Sequence, residues 1–103
     1  MCEEYKNMQK HLLFITRVET ENMPYFDSLR GIMAVWIEPE NTAYLTFYYD
    51  SEATEDQLEE FSIVSTEIIA HCNNAMLNEK FIRWDYPKPL PKNDFWAYRK
   101  IEK

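Results

Sequence analysis

The sequence predicts an α+β fold in which two helices cover one face of a four-stranded, mostly antiparallel sheet, in the order α-β-β-α-β-β. Three features predict it: an amphipathic stripe near the N-terminus, a helix-start signature at Thr54, and strand-like segments before and after that signature. Two helices on one face of such a sheet would bury both amphipathic stripes. The 103 residues fit a single domain, 1–103, because no repeat or Gly/Ser-rich linker divides them.

Residues 5–18 predict the first helix. Its apolar stripe recurs at 3-4-3 spacing, which places the side chains on a single helical face: Tyr5, Met8, Leu12 and Ile15. The segment LLFITRV in the same range also has the composition of a strand, so that alternative stays open. The triplet Asn22-Met23-Pro24 should then end the element.

Residues 31–38 and 43–49 predict two strands, and the short proline-containing turn between them predicts an antiparallel hairpin. The first strand is apolar on both faces, so it should be central in the sheet or covered on its second face. Tyr44 and Tyr48 should share one face of the second strand, with Trp36 as their cross-strand neighbour.

A capping-box signature, Thr54 followed by Gln57, predicts a second helix from Glu55 to about His71. Its inward stripe consists of Leu58, Phe61, Val64, Ser65, Ile68 and Cys72. Acidic residues crowd its first two turns, where the helix dipole favours negative charge. The pair Asn73-Asn74 should end the helix.

The last two strands are predicted at 80–86 and 94–101. The first of them alternates apolar and polar side chains, and the proline-punctuated segment 87–91 cannot continue a strand. These two strands complete the predicted sheet.

The net charge of −7 is unevenly distributed. Between Gly31 and Asn78 there are nine acidic residues and no Lys or Arg, whereas Glu79 to Lys103 contains seven basic and four acidic residues. An acidic surface repels nucleic-acid phosphates and anionic lipid, and it attracts basic proteins. The sequence therefore predicts a protein partner, without nucleic acid or membrane.

Patterns for catalysis and metal binding are weak. His71 and Cys72 are adjacent on the predicted helix and point about 100° apart, which does not favour a catalytic dyad. The set Cys2, His11, His71 and Cys72 lacks zinc-site spacing, and a single glycine cannot build a phosphate-binding loop. We therefore expect no enzyme activity, no metal, no cofactor and no disulfide, although a small enzyme using Tyr or carboxylates stays a remote alternative.

The acidic stretch Asp50–Glu60 has two interpretations: it stabilises the helix start, or it docks a basic partner. Aromatic residues on the strands are likewise either core or part of a binding surface. On the second interpretation the partner-binding residues are Trp36, Tyr44, Tyr48, Asp50, Glu52, Glu55, Asp56, Glu59 and Glu60.

Several segments carry a resemblance over roughly residues 10–102: SLRGIMAVWIE, FYYDSEATEDQLEE, EIIAH, DYPKPLP and FWAYRKIE. They resemble small bacterial immunity proteins of contact-dependent growth-inhibition (CdiI-like) and related toxin systems, with departures in the N-terminal arm and at Asn22–Asp27. The resemblance implies a cytoplasmic protein that binds and blocks a toxin domain made by the same strain, and many such toxins are basic nucleases.

The leading prediction is therefore a stoichiometric toxin inhibitor. The alternative is a structural or regulatory subunit that self-associates, for example as a homodimer, through its doubly apolar first strand. The longest apolar runs are too short to cross a bilayer and the N-terminal MCEEYKNMQK does not have the composition of a secretory signal, so the cytoplasm is the expected compartment.

Overall fold

The structure is a computed structural model, and it describes residues 7–24, 26–72 and 74–100. Two helices and four strands follow one another in the predicted order α-β-β-α-β-β, which confirms the α+β class. Their bounds are α1 Met8–Asn22, β1 Leu29–Ile37, β2 Thr42–Tyr49, α2 Glu55–Ile69, β3 Met76–Arg83 and β4 Trp96–Arg99.

The four strands form one mixed sheet in the spatial order β3-β2-β1-β4. β1 is antiparallel to β2 and to β4, which confirms the hairpin, whereas β2 and β3 are parallel. The parallel pair arises because α2 carries the chain back to the end of the sheet at which β2 began. β1 is therefore central, as its apolar composition on both faces predicts.

α1 ends within the triplet Asn22-Met23-Pro24, as the sequence predicts. It begins after Asn7, whose side chain accepts a hydrogen bond from the Lys10 backbone N–H at 3.0 Å. It ends at Asn22 because Pro24 favours an extended conformation in Met23, whose ψ is 160°. Its buried residues include Leu12 and Ile15, so the helical interpretation of this segment is confirmed; Tyr5 lies outside the described residues.

α2 begins with the capping box that the sequence predicts. The Thr54 side chain accepts the Gln57 backbone N–H at 3.1 Å, and the Gln57 side chain accepts the Thr54 N–H at 3.2 Å. The helix ends at Ile69, two residues before the predicted limit at His71. Its inward stripe is confirmed, with these residues buried in or packed against the core: Leu58, Phe61, Val64, Ser65, Ile68 and Cys72.

The main core lies between the two helices and one face of the sheet. Phe61 of α2 stacks on Phe47 of β2 with ring centroids 5.2 Å apart, and Phe81 of β3 lies 5.4 Å from Phe47. Full burial of a side chain such as Phe47 or Phe61 contributes about 1.5–3 kcal/mol, and Phe81 is partly buried. This core fixes α2 above β2 and β3, and therefore sets which face of α2 remains exposed.

The opposite face of the sheet is partly covered by residues 84–95, the segment between β3 and β4. Tyr48 on this face packs against Trp84 and Trp96, with ring centroids 5.6 and 5.5 Å away. The two indole N–H groups donate to the carbonyls of Pro89 and Pro91. The covering segment thus forms a second, smaller core that the strand pattern does not reveal.

The limits of the last two strands differ from the prediction. β3 spans Met76–Arg83 rather than 80–86, because Trp84 and the residues after it fold back over the sheet. β4 is only four residues long, within the predicted 94–101, of which position 101 lies outside the described residues.

Candidate functional site

The exposed face of α2 carries four of the nine acidic residues between Gly31 and Asn78: Glu55, Asp56, Glu59 and Glu67. Glu55 and Asp56 occupy the first turn, where the helix dipole stabilises negative charge. Glu59 and Glu67 follow on the exposed side, and neither makes a hydrogen bond or ion pair with any described residue. Their charge is therefore not neutralised by any described residue.

A shallow depression lies between these two carboxylates, with a volume of about 290 Å³. Its lining is spaced as one helical face and consists of Glu59, Ser62, Ile63, Thr66, Glu67 and Ala70. Ile63 is 49% exposed although it is large and apolar. An apolar centre with a polar rim is the usual anatomy of a protein-binding surface. We call these six residues together with Glu55 and Asp56 the acidic α2 face.

The acidic residues that precede α2 have a partly structural role. Asp50 accepts a hydrogen bond from the Tyr86 N–H at 3.3 Å, and the Ser51 N–H donates to Asp85 at 2.8 Å. The Arg83 guanidinium beside Asp85, and then the Ser51 N–H, hold the pKa of that carboxyl below its usual range. These bonds fix the end of β2 to the end of β3, so Asp50 is less available to a partner than the predicted set assumes.

Tyr44 lies on the sheet face opposite the helices and is half-buried. Its hydroxyl donates a short hydrogen bond to Glu40 in the β1–β2 turn. This bond, together with some burial and the Glu40 charge, raises the pKa of Tyr44. Tyr44 is thus accessible but separated from the acidic α2 face by the thickness of the sheet.

The prediction that Trp36 shares a face with Tyr44 and Tyr48 is wrong. Trp36 pairs with Ala43, which is fully buried beneath the helices, whereas Tyr44 pairs with Val35 on the other face. Successive strand residues alternate between faces, and the observed register sets Trp36 on the helix side. Its indole N–H donates to Glu38 at 2.8 Å.

The expected exposure of Tyr48 is also wrong, because this residue is only 7% exposed. Trp84 of the covering segment and Trp96 of β4 bury it, and burial raises its pKa. The predicted binding set is therefore divided among three places: the acidic α2 face, the Asp50 turn, and the aromatic residues of the sheet.

His71 and Cys72 do not form a catalytic pair. The His71 ring lies 3.4 Å from the Glu19 carboxylate on α1, whereas the Cys72 thiol is buried 3.9 Å from the Ile68 carbonyl. Burial raises the pKa of the Cys72 thiol, which opposes thiolate chemistry. Cys2 lies outside the described residues.

Within residues 7–24, 26–72 and 74–100, no three His, Cys, Asp or Glu side chains are close enough to hold a metal ion. In the same ranges, no helix is long and apolar enough to cross a membrane. A cavity of about 470 Å³ lies between α1 and β4, but Glu21 is the one carboxylate among the residues that line it. The paired carboxylates of an acid–base site are not present there.

Three features of the site were missed from the sequence. Ile63 lies off the inward stripe of α2, and an apolar residue in that position is a signal that could have been used. Glu67 extends the acidic face beyond Asp50–Glu60. Glu79 joins that face through its hydrogen bond from Ser62 at 3.0 Å, a tertiary contact with no sequence signal.

An exposed helix face with apolar Ile63 at its centre and carboxylates at its rim is typical of a surface that binds another protein. The model of the MafI2 immunity protein family matches residues 26–102, a range that includes α2 and all four strands. The chain belongs to this family. A search of curated proteins gave no match.

The family confirms the prediction of a toxin immunity protein. It is of the Maf type, however, and not specifically the CdiI-like type of contact-dependent growth inhibition that the resemblance implied. Immunity proteins neutralise a toxin, and families of this kind are generally non-catalytic.

Proposed function

We propose that this protein neutralises its cognate toxin by direct, stoichiometric binding, and that the acidic α2 face is the main contact. The observation that carries the proposal is the exposed, unneutralised charge of Glu59 and Glu67 around the apolar Ile63. An acidic surface accelerates association with a basic partner by about 10–10³-fold. The protein meets the toxin in the cytoplasm and performs no catalysis of its own.

The toxin domain in this proposal is basic, and a nuclease is the class that fits best. A nuclease must attract nucleic-acid phosphates and therefore carries a positive substrate surface. Carboxylates at Glu55, Asp56, Glu59 and Glu67 would compete for that surface in place of phosphates. Glu52 is exposed in the segment before α2, and Glu60 is half-buried on α2.

The remaining residues of the predicted binding set contribute less in this proposal. Trp36 and Tyr48 are buried, and Asp50 is engaged with Tyr86. Tyr44 lies on the far side of the sheet, so a single flat partner surface would not contact it and α2 together.

The test is co-expression with the toxin encoded beside this gene. The wild-type protein should restore growth and co-purify with the toxin. Replacing Glu59 and Glu67 by Lys (Glu59→Lys, Glu67→Lys) should remove most of that protection, because the partner surface is now repelled. The matched control changes Glu21 and Asp94 to Lys, which alters net charge equally but leaves α2 intact. Full protection by the α2 variant would refute the proposal that the acidic α2 face is the main contact with the toxin.

Self-association is the second candidate, and one observation favours it. Met76 is 64% exposed on the same sheet face as the half-buried Val35 and Tyr44, so apolar side chains remain accessible on this face. A homodimer through these side chains would be insensitive to salt. Light scattering on the purified protein separates this candidate from a monomer that awaits a basic partner.

A further inference from the structure

The outer edge of the sheet at β3 is not paired with any residue that the structure describes. The Met76 N–H donates to the carbonyl of Asn41, just before β2, and the Trp84 N–H, just after β3, donates to the carbonyl of Tyr49. Because strand residues alternate, the even-numbered positions of β3 bond to β2 and the odd-numbered positions direct their N–H and C=O groups outward. These outward positions are Leu77, Glu79, Phe81 and Arg83, and no described residue bonds to their backbone groups.

This edge is long and regular enough to accept another strand, and the exposed Lys80 and Arg83 are the features that oppose such pairing. β3 has eight residues in regular register with β2, without a bulge or a proline. The opposite side of the sheet is different, because β4 is short and Gln9 covers the part of β1 that extends beyond it. The Gln9 amide donates to the Ala34 carbonyl and accepts the Trp36 N–H, both at 2.8 Å. Gln9 thus covers part of β1, and among the described residues β3 remains the open edge.

The charge on the helix side of the open edge is acidic at its centre, because Lys80 lies on the other face of β3 and Arg83 at its end is paired with Asp85 at 3.0 Å. Glu79 is on the helix side of β3, where one carboxylate oxygen accepts the Ser62 hydroxyl at 3.0 Å. Its other oxygen is shielded from solvent and has no hydrogen-bond partner among the described residues. A buried acceptor without a donor is costly, so a donor that reaches it gains free energy. Ser62 also lines the depression around Ile63, which joins the edge to the acidic α2 face.

We propose that an extended segment of the toxin pairs with β3 as a fifth strand, with a Lys or Arg opposite Glu79. This inference rests on the proposed function and adds the mode of contact. Backbone hydrogen bonds from the four outward positions would provide affinity, while Glu79 and the acidic α2 face would select a basic segment. A second copy of this chain is a poorer occupant, because edge-to-edge pairing would bring two acidic α2 faces together.

The test is amide hydrogen exchange measured residue by residue by NMR, with and without the catalytically inactivated toxin encoded beside this gene. In the free protein the amides of Leu77, Glu79 and Phe81 should exchange rapidly, while those of Asn78 and Lys80 are protected by β2. In the complex the odd-numbered amides should slow by at least roughly tenfold. The even-numbered amides of the same strand are the internal control.

The outcomes are distinguishable. A complex that forms without protecting the odd-numbered amides overturns the fifth-strand inference and leaves the proposed function standing. If no complex forms, the proposed function itself is overturned. Protection that appears in the free protein and increases with its concentration would show that a second copy occupies the edge, which also overturns the inference.

A charge variant tests the role of Glu79 separately. Glu79→Lys should weaken toxin binding roughly tenfold or more, whereas Glu79→Gln, which keeps a hydrogen-bond acceptor for Ser62, should lose less. Glu21→Lys is the matched control on α1, and circular dichroism verifies that each variant is folded. Equal affinity of Glu79→Lys and Glu21→Lys would show that Glu79 does not select the segment.

Discussion

At the residue scale, Gly31 shows how tertiary packing determines a single position. A Cβ atom at this residue would lie 2.8 Å from Cζ3 of Trp96 and 3.0 Å from the Tyr98 carbonyl oxygen. Glycine is therefore required at position 31 because the indole ring of Trp96 leaves no room for a side chain. The sequence could not reveal this role of Gly31. The packing of Trp96 over β1 depends on the fold of residues 84–95, which is a tertiary feature.

We expect Gly31→Ala to lower the free energy of unfolding by about 1–3 kcal/mol, because the added methyl group forces Trp96 from its position. Urea unfolding followed by tryptophan fluorescence would measure the change. Trp96→Phe provides the control, since a smaller ring leaves room for the methyl group: in that background Gly31→Ala should cost clearly less. The same cost in both backgrounds would show that the ring is not the cause.

At the element scale, the helices were predictable and the sheet was predictable only in part. The capping box at Thr54 and the stripes of α1 and α2 are local signals, which tertiary contacts then reinforce. The parallel pairing of β3 with β2 is not local, because it depends on how α2 returns across the sheet. The limits of β3 were also wrong, because Trp84 belongs to the covering segment and not to the strand.

The shielding of β1 by Gln9 gives a prediction at this scale. Gln9→Ala removes both hydrogen bonds to β1, so the Trp36 amide should exchange with solvent much faster and the free energy of unfolding should fall by about 1–3 kcal/mol. Gln9→Glu is the control, because its carboxylate still accepts the Trp36 N–H. An unchanged exchange rate at Trp36 in Gln9→Ala would mean that the edge is protected in another way.

At the scale of the whole molecule, the separation of charge is the feature that connects sequence to function. The block without Lys or Arg, Gly31 to Asn78, was visible in the sequence, and the exposure of those acidic residues that lie on α2 followed from the apolar stripe on its other side. The division of the aromatic residues was not predictable. By residue type alone, Trp36 and Tyr48 were candidates for the binding surface. The register of β1 places Trp36 beneath the helices, and the covering segment helps to bury Tyr48.

The central claim is that the acidic α2 face binds a basic toxin domain. The most direct measurement is the association rate constant with the toxin encoded beside this gene, determined over a range of salt concentrations. For the wild-type protein the rate constant should fall steeply as salt increases, because long-range attraction is screened. The variant with Lys at positions 59 and 67 should associate slowly at low salt, and the variant with Lys at positions 21 and 94 should retain most of the wild-type rate. A rate constant that is independent of salt, or equal in the two variants, would contradict the claim.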